Sequence, residues 1–257
     1  MTPPFLRLVD APSPNFDARK SVPDCVILHY TGMQSGAAAL ERMRDPEAKV
    51  SAHYMVDEDG TIYRLVPEER RAWHAGAAFW KGVKDINSAS IGIEIVNPGH
   101  EFGYRPFPDA QVAAVINLLA DIRTRWMIDD DMIIGHSDIA PGRKVDPGEL
   151  FPWKRLASVG HGLWFDPAPE RIAALGASLS PGEDGIGVIV LRSALHRLGY
   201  GLKPGGDYDE ETRLTVEAFQ RHWRPERVDG IADGETRARL VGLLQLASAE
   251  SATGVLN

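Results

Sequence analysis

The sequence predicts an α/β fold, in which a central mixed β-sheet is flanked by helices and followed by a small three-helix domain. Short apolar runs such as CVILHY and SIGIEIV, bounded by turn-forming residues, are typical of buried strands. Segments with helical periodicity lie between these runs. Three further helical patterns follow a stretch rich in Pro and Gly. We therefore expect one domain over residues 1–180, with its core at about 24–153, and a second over residues 181–257.

The first predicted elements are a buried strand, a helix and a hairpin. Residues 25–29 are short, apolar and followed by Thr31-Gly32, as in a strand that is buried on both faces. Residues 35–44 mix small, apolar and charged side chains and predict an amphipathic helix. Residues 54–56 and 61–66 flank a polar turn that ends in Gly60, which predicts a β-hairpin.

Two later segments complete the predicted sheet and its helical cover. In residues 90–96, three isoleucines alternate with a set that includes Glu94, so Glu94 lies on the opposite face of the predicted strand. Residues 109–126 have a helical period, with Asp109 as the expected N-cap. Residues 132–135 predict a buried strand that ends directly before His136.

The rest of the chain is predicted to be loop, linker and helices. Residues 137–152 contain several Pro and Gly and predict an irregular loop, a kind of segment that is often functional. Residues 166–184 predict a linker with one short helix. The C-terminal helices are predicted around residues 188–198, 211–223 and 234–246, with a frayed end after Leu246.

Composition excludes several classes of protein. The chain has 257 residues, of which 44% are hydrophobic and 25% charged, as in an ordinary globular protein. Its net charge of -8 argues against a nucleic-acid partner, because phosphate binding depends on clustered Lys and Arg. Cys25 is the single cysteine, which excludes an intrachain disulfide and a multi-cysteine zinc site. We expect it to be a buried apolar side chain.

No window approaches the ~18 consecutive apolar residues of a membrane-spanning helix, so no membrane span is predicted. The N-terminal sequence MTPPFLRLVDAPSPNFDAR has no cationic segment followed by an apolar stretch and a small-residue cleavage site, and it does not resemble a secretory signal. A cytoplasmic location is therefore expected. A periplasmic location is the alternative if a signal has been removed from the sequence as given.

Three residues that could bind a metal ion follow predicted strands or lie in the adjoining loop: His29, His136 and Asp146. Two imidazoles and one carboxylate leave zinc an open fourth position, where a water can be acidified to a pKa of about 7. The alternative is structural, because a buried histidine is often a hydrogen-bonded core residue and Asp before Pro is common in turns. Spacing alone leaves the two interpretations about even.

A metal-dependent hydrolase also needs a base and a group that stabilises the oxyanion. Glu94 lies in an apolar strand, where desolvation would raise its pKa. Lys144 precedes Asp146 by two residues, so an extended backbone would direct both side chains to one side. Alternatively, Glu94 could form a structural ion pair and Lys144 could be a solvated loop charge.

The motifs HYTG, SAHYMV, AWHAG, SIGIEIVN and GHSDIAPGRKVDPG together resemble a known enzyme family. They resemble the zinc-dependent N-acetylmuramoyl-L-alanine amidases of the AmpD and AmiD type, which are related to peptidoglycan recognition proteins. The resemblance covers residues 24–153, in the expected order. It implies that Zn²⁺ is bound by His29, His136 and Asp146, that Glu94 is the general base, and that Lys144 stabilises the oxyanion.

The resemblance also suggests where the substrate binds. Trp73 and His74 are expected to line its groove, and Asn97 to make a polar contact with the peptide or sugar. His53 has structural and functional interpretations of about equal weight. Arg71 or Arg143 could contact acidic groups of the peptide.

The C-terminal segment resembles the three-helix peptidoglycan-binding domain that is often attached to wall hydrolases. The segments LGY, DYDEET, VEAFQ and VDGIADGET carry this resemblance. The apolar positions need only supply the core of a helical bundle, and that structural interpretation requires no ligand. These positions are Val190, Leu191, Leu198, Val216, Phe219 and Leu240. Whether the segment binds glycan or only packs on the catalytic domain stays open.

The function implied is hydrolysis of the amide bond between N-acetylmuramic acid, in its 1,6-anhydro form, and L-alanine of muropeptides during peptidoglycan recycling. One alternative is an envelope amidase that acts on intact peptidoglycan, which the two-domain layout favours. Another is a non-catalytic peptidoglycan-recognition module. Against it, all three positions expected to bind zinc carry a residue that can do so. A zinc peptidase is disfavoured because the HExxH motif is absent.

Overall fold

The computed structural model of the chain describes residues 6–254, with side chains described through residue 249. Its main sheet has six strands in the order β1-β5-β4-β7-β3-β8. These strands are β1 (Leu8–Asp10), β3 (Cys25–Tyr30), β4 (Tyr54–Val56), β5 (Ile62–Arg64), β7 (Ser90–Ile95) and β8 (Ile133–Gly135). A separate antiparallel pair consists of β2 (Phe16–Ala18) and β6 (Arg70–Ala72). The mixed sheet that the sequence predicts is confirmed.

Ten α-helices surround the sheet and form the C-terminal part of the described chain, and a short 3-10 helix spans Asp130–Met132. They are α1 (Gly36–Arg44), α2 (Ile86–Ala89), α3 (Gly99–Phe102), α4 (Asp109–Ile122), α5 (His136–Ile139), α6 (Trp153–Ala157), α7 (Pro169–Ala173), α8 (Ile186–Leu198), α9 (Glu210–Trp223) and α10 (Gly234–Gly254). Among residues 6–254, no helix combines the length and apolar character that crossing a lipid bilayer requires.

Strand β3, which lies between β7 and β8, is buried on both faces, as predicted, because alternate side chains pack against different helices. Val26 and Leu28 belong to an apolar cluster that includes residues of β7 and α4. Cys25 and Ile27 belong to another cluster, which includes residues of α8, α9 and α10. Cys25 is 1% exposed, and burial raises the pKa of its thiol, which fits a packing role.

Several predicted boundaries and positions need correction. Pro108, not Asp109, is the N-cap of α4, and the helix ends at Ile122 rather than at residue 126. Helix α10 continues to Gly254, eight residues beyond the predicted end at Leu246, and the fraying of this end stays a prediction. Val190 is 61% exposed and is not a core residue. The predicted boundary near residue 180 falls between α7 and α8, and the division into two domains stays a prediction.

Candidate functional site

Three parallel strands bring the predicted site residues to one edge of the sheet. β3 pairs with β7 so that His29 lies opposite Glu94. β3 also pairs with β8, with Leu28 opposite Gly135, so His136 follows β8 at the same level as His29. Because all three strands run in the same direction, their carboxyl ends meet at one edge. A site at the carboxyl ends of such strands is a common arrangement in α/β folds.

The loop after α5 brings a carboxylate to the two histidines. The amide of Ser137 donates a hydrogen bond to the Asp146 carbonyl over 2.9 Å, which folds the loop back onto α5. Asp146 Oδ2 then lies 3.1 Å from His29 Nδ1 and 3.0 Å from His136 Nδ1. The two Nδ1 atoms are 2.9 Å apart. The structure therefore brings all three predicted ligands together.

A backbone carbonyl determines which ring nitrogen of His136 carries the proton. His136 Nε2 lies 3.0 Å from the Ala75 carbonyl oxygen, which can only accept a hydrogen bond. The proton of the neutral imidazole therefore sits on Nε2. This leaves the lone pair of Nδ1 directed at Asp146 and His29.

A chain of hydrogen bonds fixes the tautomer of His29. The Ser90 hydroxyl donates to the Ile86 carbonyl over 2.6 Å, so its oxygen is free to accept from His74 Nε2, 3.3 Å away. His74 Nδ1 is then the acceptor for the His29 Nε2–H, over 3.0 Å. His29 Nδ1 consequently carries a lone pair, as His136 Nδ1 does. Such outer partners are typical of metal-binding histidines.

The donor set fits a small metal cation. Two nitrogen lone pairs and one carboxylate oxygen lie about 3 Å from one another with no hydrogen between them, so they repel unless a cation lies among them. Ligands at 2.0–2.1 Å from a tetrahedral Zn²⁺ are roughly 3.3 Å apart, which is close to this spacing. Burial, together with the nearby His136, lowers the pKa of His29 to about 4, so the ring is neutral and able to coordinate at pH 7.

Glu94 lies beside the three converging ligand atoms and has a carboxylate oxygen without a hydrogen-bond partner among the described residues. This atom, Oε2, is buried. Burial raises the pKa of Glu94 well above its usual value, and the charge of Asp146 raises it further, whereas Lys144 opposes both effects. A carboxylate with a raised pKa and a free lone pair is suited to taking up a proton.

A groove of about 820 Å³ opens over these residues. Glu94, His136 and Asp146 lie in its lining, as do Lys144 and the predicted substrate contact Trp73. Further lining residues include Tyr30, Arg42, His74, His100, Glu101 and Arg143. The structure therefore places Lys144, Trp73 and His74 in the groove, and their roles there stay predictions. Of the two arginines considered, it places Arg143 in the groove. Arg71 instead pairs with Asp17 and Asp85.

Two of the positions considered from the sequence, Asn97 and His53, are bonded to the backbone in the structure. Asn97 is 1% exposed, and its side chain donates to the Arg105 carbonyl over 2.7 Å and accepts from the Gly99 amide over 3.0 Å. It shapes the loop after β7 and is not among the described residues that line the groove, and its role as a substrate contact stays a prediction. His53 is fully buried, with Nδ1 accepting from the Gly92 amide and Nε2 donating to the Arg70 carbonyl. These contacts favour the structural interpretation of His53.

Sequence reasoning missed the residues that hold the His74 loop in place. Asn87 Oδ1 accepts hydrogen bonds from the amides of His74 and Ala75, over 3.0 and 2.8 Å. Gly92 lets the His74 ring pack on β7, since a Cβ there would lie 2.5 Å from His74 Cγ. A glycine inside an apolar strand often marks such a close approach, and that signal was present in SIGIEIV. Asn87 offered no comparable signal.

The metal-free protein is expected to lose stability as the pH falls below about 6.5, where histidines of an unfolded chain take up protons. Burial is the main cause that lowers the pKa of His29 to about 4 and of His53 to about 3, and it lowers that of His74 too. Unfolding therefore takes up protons, and the stability present above pH 6.5 is lost towards pH 4.

Glu94 and Asp24 have the opposite sign, because their raised pKa favours the folded state as the pH falls. They are outnumbered, because burial lowers the pKa of His161 and His222 as well as that of the three histidines above. Urea titration of chelator-treated protein should give a lower free energy of unfolding at pH 5 than at pH 7, by at least roughly 1 kcal/mol. An equal or higher value at pH 5 would contradict neutral burial of these histidines.

Comparison with known proteins gives two domain matches. A family model described as N-acetylmuramoyl-L-alanine amidase matches residues 19–149. A model for a proposed peptidoglycan binding domain matches residues 184–240. The first match contains the metal-binding group, His29, His136 and Asp146, and also Glu94.

Similar proteins extend over most of the chain. N-acetylmuramoyl-L-alanine amidase AmiD of Escherichia coli K12 is 38% identical over 234 residues, which cover 86% of this chain and 82% of AmiD. A solved complex of AmiD from E. coli with anhydro-N-acetylmuramic acid-L-Ala-D-gamma-Glu-L-Lys has a TM-score of 0.74 at 36% identity and covers 89% of this chain and 92% of that one. AmpDh3 of Pseudomonas aeruginosa, solved with anhydromuramic pentapeptide, has a TM-score of 0.74 at 33% identity and covers 86% of this chain and 91% of that one.

Proposed function

Because this chain belongs to the N-acetylmuramoyl-L-alanine amidase family, we propose that it uses Zn²⁺ to hydrolyse the amide bond between N-acetylmuramic acid and L-alanine in 1,6-anhydro-muropeptides. The observation that carries this proposal is the convergence of three lone pairs, from His29 Nδ1, His136 Nδ1 and Asp146 Oδ2, beside the unpaired carboxylate of Glu94. Three protein ligands and an open position are typical of a catalytic rather than a structural zinc site.

The residues of the groove have distinct roles in this reaction. Zn²⁺, when bound, supplies a Lewis acid for the amide carbonyl and lowers the pKa of water. Glu94 Oε2 accepts the proton of the attacking water and delivers it to the departing alanine nitrogen. The Lys144 ammonium faces the same groove and stabilises the negative charge that develops on the carbonyl oxygen. Trp73 forms part of the wall against which the substrate lies.

The 1,6-anhydro form of the sugar is proposed from the relatives. The solved complexes of AmiD and AmpDh3 contain anhydromuramyl peptides. Their similarity covers more than four fifths of this chain, and the amidase family model spans residues 19–149, which contain the groove residues; both support the same substrate class here. A role in peptidoglycan recycling follows from that substrate. The cytoplasmic location stays a prediction, and cell fractionation tests it.

The substrate is tested with two candidates in parallel. The purified protein is incubated with a 1,6-anhydro-muramyl tripeptide and with intact sacculi, each with and without a chelator, and the products are identified by mass spectrometry. Chelator-sensitive release of free tripeptide, with sacculi untouched, is the expected result. Cleavage of sacculi would instead indicate an envelope amidase. If zinc is bound and neither substrate is cleaved, the chain is a recognition module.

Replacing His74 with Phe is expected to weaken zinc binding by about 10- to 100-fold, the usual effect of losing an outer partner of a metal ligand. Phe retains a ring over Gly92 but cannot accept the His29 Nε2–H, so the tautomer of His29 is no longer fixed. Competition with a chromogenic chelator measures the zinc Kd. Ser90→Ala, which removes only the next link of the chain, should have a smaller effect. Unchanged zinc affinity in His74→Phe would contradict this role.

A further inference from the structure

The C-terminal helices share an apolar core with the sheet that carries the metal-binding group. One cluster joins Ile134 and Ile139, on either side of His136, to Leu195 of α8 and Phe219 of α9. The backbone is also linked, because the Lys81 amide donates to the Gly199 carbonyl over 2.9 Å. The structure therefore packs this part of the chain directly against the α5 segment that presents a metal ligand.

A buried carboxylate lies at the centre of this contact. Asp138, two residues after His136, is 0% exposed. Its Oδ2 accepts from the Gly135 amide over 2.8 Å and from His222 Nδ1 over 2.7 Å, while its Oδ1 accepts from the Tyr200 hydroxyl over 2.8 Å. Gly135 is the residue directly before His136. Asp138 thus connects the backbone at the metal ligand to two side chains of the C-terminal helical part.

Both donors are held firmly by their surroundings. The His222 ring stacks between Trp153 and Trp223, with centroid distances of 3.7 Å to each. His222 Nε2 is buried without a partner among the described residues, so Nδ1 is the one ring nitrogen with a hydrogen bond, to Asp138. Tyr200 is 0% exposed and packs edge-on against Trp80 at 5.1 Å. Removing either donor would leave a buried carboxylate oxygen with one partner fewer, which is costly.

We propose that Tyr200 and His222 are positioning residues for the metal centre: through Asp138 they fix the backbone at Gly135 and hence the His136 ligand. The C-terminal helices are thereby part of the framework of the catalytic site, whether or not they bind glycan. Residues that orient a metal ligand are expected to change metal affinity when altered, although they do not touch the ion. This inference rests on the metal binding that the proposed function includes.

The test removes the hydrogen-bond donor of Tyr200 or His222 and keeps an aromatic ring at each position. Tyr200→Phe, His222→Phe and the double variant are compared with Tyr208→Phe, in which a buried hydroxyl that bonds Gly230 over 2.7 Å within the C-terminal helices is lost. Zinc Kd is measured by chelator competition, and kcat and KM on the muropeptide at saturating zinc. We expect a roughly 10-fold higher zinc Kd and a lower kcat at unchanged KM for the double variant. Tyr208→Phe should match the wild type.

Further variants and outcomes keep the test decisive. His222→Asn places an amide near the position of Nδ1 and should recover part of the zinc affinity lost in His222→Phe. If the double variant does not fold, Tyr200→Phe alone, which removes one oxygen atom, carries the comparison. A zinc Kd within twofold of the wild type in folded Tyr200→Phe and His222→Phe, or an equal rise in Tyr208→Phe, would overturn the proposal. A wild-type protein that binds no zinc would instead overturn the proposed function.

Discussion

Replacing Glu94 with Gln is expected to lower kcat by about 100- to 10,000-fold, the usual contribution of a general acid–base group. Gln retains the shape of the side chain but cannot accept a proton at Oε2, the buried atom that has no partner among the described residues. Zinc binding should persist, because Glu94 is not among the three atoms that converge on the metal position. The loss should therefore appear in kcat and not in zinc Kd.

The matched control for this variant is Glu101→Gln. Glu101 also lines the groove, is exposed, and lies outside the metal-binding group, so its replacement removes one negative charge from the same groove. Activity of this control should stay within a few-fold of the wild type. The muropeptide assay with both variants, each checked for bound zinc, separates loss of a base from a general change of charge. Glu94→Gln with activity near that of the wild type would place the base elsewhere.

The site could be predicted because its residues follow strongly patterned strands. The apolar runs that became β3, β7 and β8 have clear limits, and the residues that follow parallel strands meet at one edge. His29, Glu94 and His136 were therefore predictable as neighbours once the strands were recognised. Asp146 lies in an irregular loop, and its approach to the histidines depends on the family resemblance rather than on any local pattern.

Other features have no local signal in the sequence. Strands β1, β2 and β6 are three residues each, too short for an alternation of apolar and polar residues to stand out. The hydrogen bonds from Tyr200 and His222 to Asp138 join residues that are 62 and 84 positions apart. The periodicity of a sequence predicts local structure and cannot predict contacts at such separations. In α8 an apolar side chain was predicted to be buried, but Val190 lies on the solvent side, whereas its neighbour Leu191 is 3% exposed.

Asn97 illustrates how a motif can leave two interpretations open. It follows the Glu94 strand in SIGIEIVN, so proximity to the site suggested a substrate contact. In the structure both groups of its amide side chain bond to the backbone of the next loop. Asn side chains often bond to nearby backbone in this way. The polar residue after a strand could thus serve the loop or the ligand, and only the three-dimensional arrangement separates these roles.

Removing the metal is expected to abolish hydrolysis, and a chelator followed by added Zn²⁺ should remove and then restore activity. His136→Ala should lose activity by about 1,000-fold or more and should not regain it with excess zinc, since a Lewis acid contributes several kcal/mol to such a reaction. Only His29 and Asp146 would remain of the three converging groups. Metal content by mass spectrometry and the muropeptide assay measure both effects.

His161→Ala separates loss of a ligand from loss of any buried histidine. His161 is 8% exposed, and burial lowers its pKa, as it lowers the pKa of His29. Its ring contacts Arg123 and lies outside the metal-binding group, so this variant should keep both zinc and activity. Both variants remove an imidazole from a buried histidine. A larger loss of zinc and activity in His136→Ala is therefore due to the position of His136 in the metal-binding group. Chelator-resistant hydrolysis by the wild type, or recovery of His136→Ala with zinc, would show that the reaction does not depend on this group.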